Sequence, residues 1–133
     1  MRLLQLAVAL AGFVPVLAGG AGVLLGPAMV GGLPGEAAAD SHFRYLSGLL
    51  LAIGLGFWST IPDLPRHARR FRLLTAIVVL GGLARLLALP SQGWPGSAMS
   101  AALAMELVVT PLLCLWQDRV AVVRRTQDAA PPA

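Results

Sequence analysis

The sequence is poor in charge. Asp, Glu, Lys and Arg make up only 12% of its 133 residues, and lysine is absent altogether. A soluble domain typically carries about 25% charged residues, so the charges here are too few to cover a surface that faces water. Hydrophobic residues make up 57% of the chain, and the mean hydropathy is +0.78. The composition excludes an ordinary soluble domain and indicates lipid as the main solvent.

Cysteine is also scarce, since Cys114 is the only one in the chain. A single cysteine excludes a disulfide within the chain and a metal site built from cysteines. Because Cys114 lies in an apolar run, we expect a small, buried and unreactive side chain.

The motifs of familiar enzyme classes are missing. The sequence contains no G-x-S-x-G, no H-E-x-x-H and no glycine-rich phosphate loop after a strand. His42 and His67 fall on opposite sides of the membrane in the topology derived below, so they cannot share a metal. We therefore expect no catalytic residues, no metal and no cofactor, and a protein that is not an enzyme.

The chain does contain four apolar runs, each about as long as a bilayer is thick. They cover residues 3–25, 43–61, 71–89 and 98–116. A helix of about 20 residues crosses a hydrocarbon core of about 30 Å. The runs predict an all-α fold, a transmembrane four-helix bundle of residues 1–119. Residues 120–133 are expected to form a disordered tail.

The first run has a second interpretation, a cleaved signal peptide. Arg2 precedes it, and the small residues 18–20 resemble a cleavage site. The run is longer than the apolar core of about 7–15 residues in typical signal peptides, so we expect an uncleaved span. Pro15 in this run and Pro111 in the fourth predict helix kinks.

The arginines in the terminal segments, in the loops and at the first turn of the third run predict the topology. With an even number of spans, eight of them fall on one side of the membrane, and the loops on the other side, residues 26–41 and 90–97, hold none. The eight are Arg2, Arg66, Arg69, Arg70, Arg72, Arg119, Arg124 and Arg125. The positive-inside rule places both termini in the cytoplasm of a multi-pass inner (plasma) membrane protein. The same distribution explains the net charge of +4 better than nucleic-acid binding does.

Three charged residues lie inside the apolar runs or at their edges: Arg44, Arg85 and Glu106. Arg85 lies about 6 Å below the outer end of the third run, and Glu106 at most about 12 Å below that of the fourth. A charge at the bilayer centre costs about 2.5–3.5 kcal/mol, and such groups usually pair inside the bundle. We expect Arg85 to pair with Glu106 and Arg44 to supply a second cation. Asp40 and His42 are predicted to cap this cluster from the preceding loop.

This cluster allows three interpretations. It forms an outward-facing pocket for a lipid headgroup, a quinone-like molecule or a small anion, or it is a structural ion pair that fixes the helix register. Arg44 alone could also extend to the headgroups. Transport is the weakest interpretation, since the sequence shows no internal repeat and no charge near the midplane.

Small residues four apart suggest a helix-packing face in the second run. Gly48, Ala52 and Gly56 share one side of a helix and would let another helix approach closely. The alternative is that they reflect only a composition rich in glycine and alanine. Besides membrane lipids, the face predicts a homo-oligomer or a larger membrane complex as partners.

Two segments resemble the signatures of DUF4345, a family of small bacterial membrane proteins. They are Asp40-Ser41-His42-Phe43-Arg44-Tyr45-Leu46-Ser47-Gly48, followed by Gly54, and Gly81-Gly82-Leu83-Ala84-Arg85-Leu86-Leu87-Ala88. Glu106 falls where that family tends to carry an acidic residue, while Ala88 departs from the small polar residue expected there. The resemblance covers residues 3–119, and the order of spans is similar to the wider DoxX-like group. It implies a four-helix bundle without an established activity, with Arg44, Arg85 and Glu106 as its distinctive cluster.

Overall fold

The computed structural model describes residues 1–31, 36–94 and 96–128, without the side chains of Gln92, Arg125 and Asp128. This part of the chain is helical and contains no strand. The α-helices are α1 (Arg2–Leu25), α2 (Ala37–Trp58), α3 (Ala68–Gln92), α4 (Ser97–Ala104) and α5 (Thr110–Asp128). The 3-10 turns are Gly26–Val30 and Ile61–Asp63, and a π-helical turn, Met105–Val109, joins α4 to α5.

Four stretches within the described residues are long and apolar enough to cross a membrane: Arg2–Val30, Ala37–Asp63, Ala68–Ser91 and Ser97–Arg124. Large apolar side chains on them are exposed, for example Leu24 at 78% and Leu87 at 81%. Exposing large apolar side chains to water is unfavourable, whereas exposing them to lipid is not. The predicted all-α class and the four spans are confirmed.

Helix α2 begins at Ala37, earlier than the predicted start of the second run at Phe43. Asp40 and His42 therefore lie inside the helix, and the prediction that they lie in the preceding loop is wrong. Glu36 occupies the N-cap position and makes no side-chain capping bond. The three alanines at 37–39 favour helix, and Asp40 in the first turn interacts favourably with the positive end of the helix dipole.

Two helices also end later than predicted. Helix α3 continues through Pro90 to Gln92, because a proline in the last turn removes only one hydrogen bond near the helix end. Gly93, with a φ of 79°, then ends the helix. Helix α5 continues to Asp128, so the expected boundary after Arg119 lies inside a helix. Residues 129–133 of the predicted tail lie outside the described part.

The chain divides into two compact units, an N-terminal unit of residues 6–61 and a C-terminal unit of residues 1–5 and 62–133. In the N-terminal unit, α1 and α2 pack backbone to backbone. A Cβ added at Gly19 would lie 2.8 Å from both Leu51 Cα and the Ser47 carbonyl oxygen. Near the other end, Trp58 Nε1 donates a hydrogen bond of 3.0 Å to the Ala9 carbonyl oxygen.

The predicted packing face of α2 is not where this contact is closest. A Cβ added at Gly48 would meet only Val23, at 3.9 Å, and Ala52 is exposed. The close approach on α2 uses Gly54 instead, where an added Cβ would lie 2.7 Å from Val16. The role of the Gly48, Ala52 and Gly56 face in contacts with another chain stays a prediction.

In the C-terminal unit, α3 and α5 run antiparallel. Arg72 Nε, early in α3, donates to both carboxylate oxygens of Asp118, near the middle of α5, at 2.8 and 3.1 Å. The buried side chains beside this pair include Phe71, Leu64 and Gln117, and Gln117 Nε2 donates to the Leu64 carbonyl oxygen at 2.7 Å. Cys114 is buried, as predicted.

Candidate functional site

The predicted partners Arg85 and Glu106 meet in the C-terminal unit. Arg85 Nε lies 3.1 Å from Glu106 Oε2, and the two side chains are 41% and 15% exposed. The N–H bond is not directed at this oxygen, so the contact is electrostatic, and Oε2 receives no hydrogen bond from the described residues. The pair thus combines a half-exposed cation with a largely buried carboxylate whose Oε2 is closed to solvent.

Glu106 lies in the π-helical turn Met105–Val109. Pro111 follows closely and has no N–H to donate to the Leu107 carbonyl oxygen, which disfavours a regular helix here. The Thr110 hydroxyl donates to the Met105 carbonyl oxygen at 2.8 Å and so replaces part of the missing backbone bonding. Single π turns are frequent at functional sites because they change the direction of a side chain.

Helix α3 approaches the π turn most closely at Gly82. A Cβ added there would lie 3.0 Å from Glu106 Cβ and 2.7 Å from Leu107 Cδ2, whereas a Cβ at Gly81 would meet nothing within 4 Å. One turn further along α3, Arg85 Nη1 lies 3.1 Å from the Met99 sulfur, a weak acceptor. The guanidinium therefore has one carboxylate and one thioether as partners, which leaves it available to an anion.

Arg44 and Asp40 form a different arrangement in the N-terminal unit. Arg44 Nη1 donates to the carbonyl oxygens of Val23 and Leu24, at 2.6 and 3.1 Å. Arg44 Nε and Nη2 donate to the two carboxylate oxygens of Asp40, at 2.7 and 3.3 Å. The carbonyls belong to the last turn of α1, where a cation is favoured by the helix dipole and fills unused acceptors. Arg44 is therefore a clamp between the end of α1 and the start of α2.

Gly26 makes room for this clamp. Its φ is +63°, and an added Cβ would lie 2.6 Å from Asp40 Oδ1 and 2.7 Å from Arg44 Nη2. Only glycine adopts this backbone conformation without strain and leaves that space. The structural role of Arg44 was missed from the sequence, although the Asp40 to Arg44 spacing of one helical turn points to it. Its role as a ligand contact stays a prediction.

His42 stacks on Tyr45 in α2, with ring centroids 6.5 Å apart. His42, Asp40 and Arg44 belong to the N-terminal unit, whereas Arg85 and Glu106 belong to the C-terminal unit. The structure thus brings Arg44 to Asp40 and Arg85 to Glu106, each pair within its own unit, whereas the ring contact of His42 is with Tyr45. In the described part of the chain, no group of three or more His, Cys, Asp or Glu residues could hold a metal ion.

The clamp makes a specific prediction about stability. Arg44→Ala leaves the Val23 and Leu24 carbonyls and the Asp40 carboxylate without their donors, so we expect the melting temperature to fall by several degrees. The melting temperature of Arg44→Lys should lie between those of Arg44→Ala and the wild type, since one ammonium group cannot reproduce the fork of a guanidinium. Circular dichroism melts in one detergent measure the effect. Arg66→Ala, at an exposed loop position, is the control, and an equal loss there would contradict the clamp.

Four apolar helices with leucines exposed along them define a multi-pass membrane protein. The chain belongs to the family described as "Domain of unknown function (DUF4345)", whose model matches residues 3–117. The family resemblance of the sequence is thereby confirmed. No curated protein and no solved structure matches the chain. A functional conclusion must therefore rest on the site itself.

Proposed function

We propose that this protein is a binding or accessory module that holds a small amphipathic or anionic molecule at Arg85. The proposal rests on the exposure and the hydrogen bonding of the Arg85 guanidinium. It lies in an apolar span, is 41% exposed, and has a single carboxylate partner to which its N–H is not aligned. Intramembrane ionisable groups of this kind commonly mark ligand sites.

The chemistry of the pair supports a ligand with an anionic or polar head and an apolar body. A planar guanidinium binds phosphate or carboxylate oxygens through two parallel hydrogen bonds. The Glu106 carboxylate, 3.1 Å from Arg85 Nε, would keep Arg85 in place. The lipid-exposed leucines Leu83 and Leu86 in the same turns of α3 would contact the apolar body.

The proposal extends to the residues and the topology expected from the sequence. Arg44, Asp40 and His42 are proposed as further contacts, and the site as facing outward from a bacterial inner membrane, with both termini in the cytoplasm. The role is proposed to be non-catalytic, without a cofactor or nucleic acid. Lipids and a possible second copy of the chain are the proposed partners.

The second candidate is a structural or oligomerising membrane protein in which Arg85 and Glu106 only fix the helix register. The close approach at Gly82, where an added Cβ would lie 3.0 Å from Glu106 Cβ, favours it. In this case, substitutions of the pair would change stability and assembly but no bound molecule would be lost.

Native mass spectrometry of the detergent-purified protein tests the proposal. We expect a co-purifying lipid or small molecule on the wild type, and a loss of about tenfold or more in its occupancy on Arg85→Ala, because removing a charge-assisted contact costs about 1.5–3 kcal/mol. Arg72→Ala is the matched control, since Arg72 also pairs with a carboxylate between the same parts of the chain.

Two outcomes would contradict the binding role. One is a wild-type protein that carries no bound species in several detergents. The other is an Arg85→Ala protein that retains the species as fully as Arg72→Ala does. Melting curves of both variants show that each is folded before the spectra are compared, and a loss of stability without any bound species supports the structural candidate.

A further inference from the structure

The last turns of α5 form one wall of an open groove of about 540 Å³ in the C-terminal unit. The residues that matter for its chemistry are Met1, Trp116, Arg119, Val120, Val123 and Arg124. The groove lies at the arginine-bearing end of the fourth span, whereas Arg85 and Glu106 lie near the other end. It is therefore separate from the proposed binding site.

The helix repeat arranges these residues in a pattern. At about 100° per residue, Trp116, Val120 and Val123 form an apolar stripe about 60° wide, and Arg119 and Arg124 lie about 40° outside its two edges. The two arginines are about 7.5 Å apart along the helix axis. Their long side chains can therefore reach one phosphate group above the stripe from both sides.

Among the described side chains, no carboxylate competes for the two arginines. Both are exposed, and neither pairs with a carboxylate in the described part of the chain. Arg44, Arg72 and Arg85, by contrast, all have a carboxylate partner. Trp116 and Val123, at 42% and 57% exposed, leave the apolar stripe open to lipid.

We infer that this groove is a binding site for an anionic phospholipid, with its phosphate between Arg119 and Arg124 and an acyl chain along the stripe that begins at Trp116. The positive charge of Arg119 and Arg124 selects an anionic headgroup, as basic residues near a membrane surface do. The stripe selects a lipid over a free phosphate, because only a lipid covers the apolar surface of Trp116, Val120 and Val123. The inference does not depend on the site at Arg85.

A lipid titration of the detergent-purified full chain, followed by native mass spectrometry, tests the inference. The ligands are a phosphatidylglycerol and a phosphatidylcholine with the same acyl chains. We expect the wild type to prefer phosphatidylglycerol, and the double variant Arg119→Gln with Arg124→Gln to bind it about thirtyfold more weakly, at about 1 kcal/mol per basic residue. Replacing both arginines by lysine should retain the preference, since lysine also binds phosphate.

The control removes the same charge elsewhere. Arg66→Gln with Arg69→Gln changes two exposed arginines outside the groove and should leave the binding of phosphatidylglycerol unchanged. Equal weakening by this control pair, no lipid preference in the wild type, or displacement of the lipid by millimolar inorganic phosphate would overturn the inference. Weaker binding by the groove variant, with the control pair unchanged, would support the inference, whatever molecule binds at Arg85.

Discussion

Gly19→Ala is expected to destabilise the N-terminal unit strongly. An added Cβ would overlap the backbone of α2 at Leu51 and the Ser47 carbonyl oxygen. A flexible side chain could turn away, but the backbone of a neighbouring helix can only be displaced. In lipid, close contact between helices is a main source of packing energy, so separating α1 from α2 affects the whole contact. Overpacking of this kind costs about 1–3 kcal/mol.

Gly20→Ala is the matched control, one residue along the same helix. A Cβ at Gly20 would meet nothing within 4 Å, so the change should be neutral, or stabilising by about 0.5–1 kcal/mol through the lost flexibility of glycine. Thermal unfolding of both variants in one detergent, followed by circular dichroism, measures the difference. Equal melting temperatures for the two variants would show that α1 and α2 do not approach as closely as described.

The sequence predicted the fold class because the bilayer imposes it. A span needs about 20 apolar residues with all backbone hydrogen bonds made internally, and the four runs satisfy this without any tertiary information. The ends of the helices were harder to predict from the sequence. The start of α2 at Ala37 was missed because residues 37–42 are too polar for a hydrophobic run, although alanines and the Asp40–Arg44 pair extend the helix through them.

Spacing also failed to identify the residues that bring α1 and α2 together. The stripe at Gly48, Ala52 and Gly56 satisfies the rule of small residues four apart, yet the close approach lies at Gly19 and Gly54. A chain with 15 glycines offers several such stripes. Which of them faces a neighbour depends on the rotation of each helix, which the sequence pattern does not determine.

The polar site was predictable in part. The contact between Arg85 and Glu106 follows from their similar depth in the membrane and the cost of leaving either charge alone. The carbonyl partners of Arg44 were not predictable, because every residue has a backbone carbonyl and the side-chain sequence does not show which of them a side chain reaches. The π turn at Glu106 was missed as well, although Pro111 predicted a distortion close to it.

Glu106→Leu is expected to lower the stability of the protein more than Arg85→Leu does, although both break the same ion pair. Without Glu106, Arg85 keeps its charge in an apolar span, because a guanidinium is not deprotonated in proteins. We expect a loss of up to about 2.5–3.5 kcal/mol, the insertion cost of a central charge, reduced where the half-exposed side chain reaches the headgroups. Without Arg85, a carboxyl group can bind a proton and become neutral, so the penalty is smaller.

The double variant decides whether this difference comes from the pair. Arg85→Leu with Glu106→Leu removes both charges and should recover part of the loss, with a coupling of about 0.5–3 kcal/mol between residues in contact. The same cycle at Arg72 and Asp118 is the control, because that pair is 54% and 30% exposed and should couple by only about 0–1 kcal/mol. If the single variants at 85 and 106 are equally stable and their losses add, the charges do not interact in the membrane. An asymmetric loss that the double variant recovers would mean that Glu106 stabilises the charged Arg85 side chain within the span.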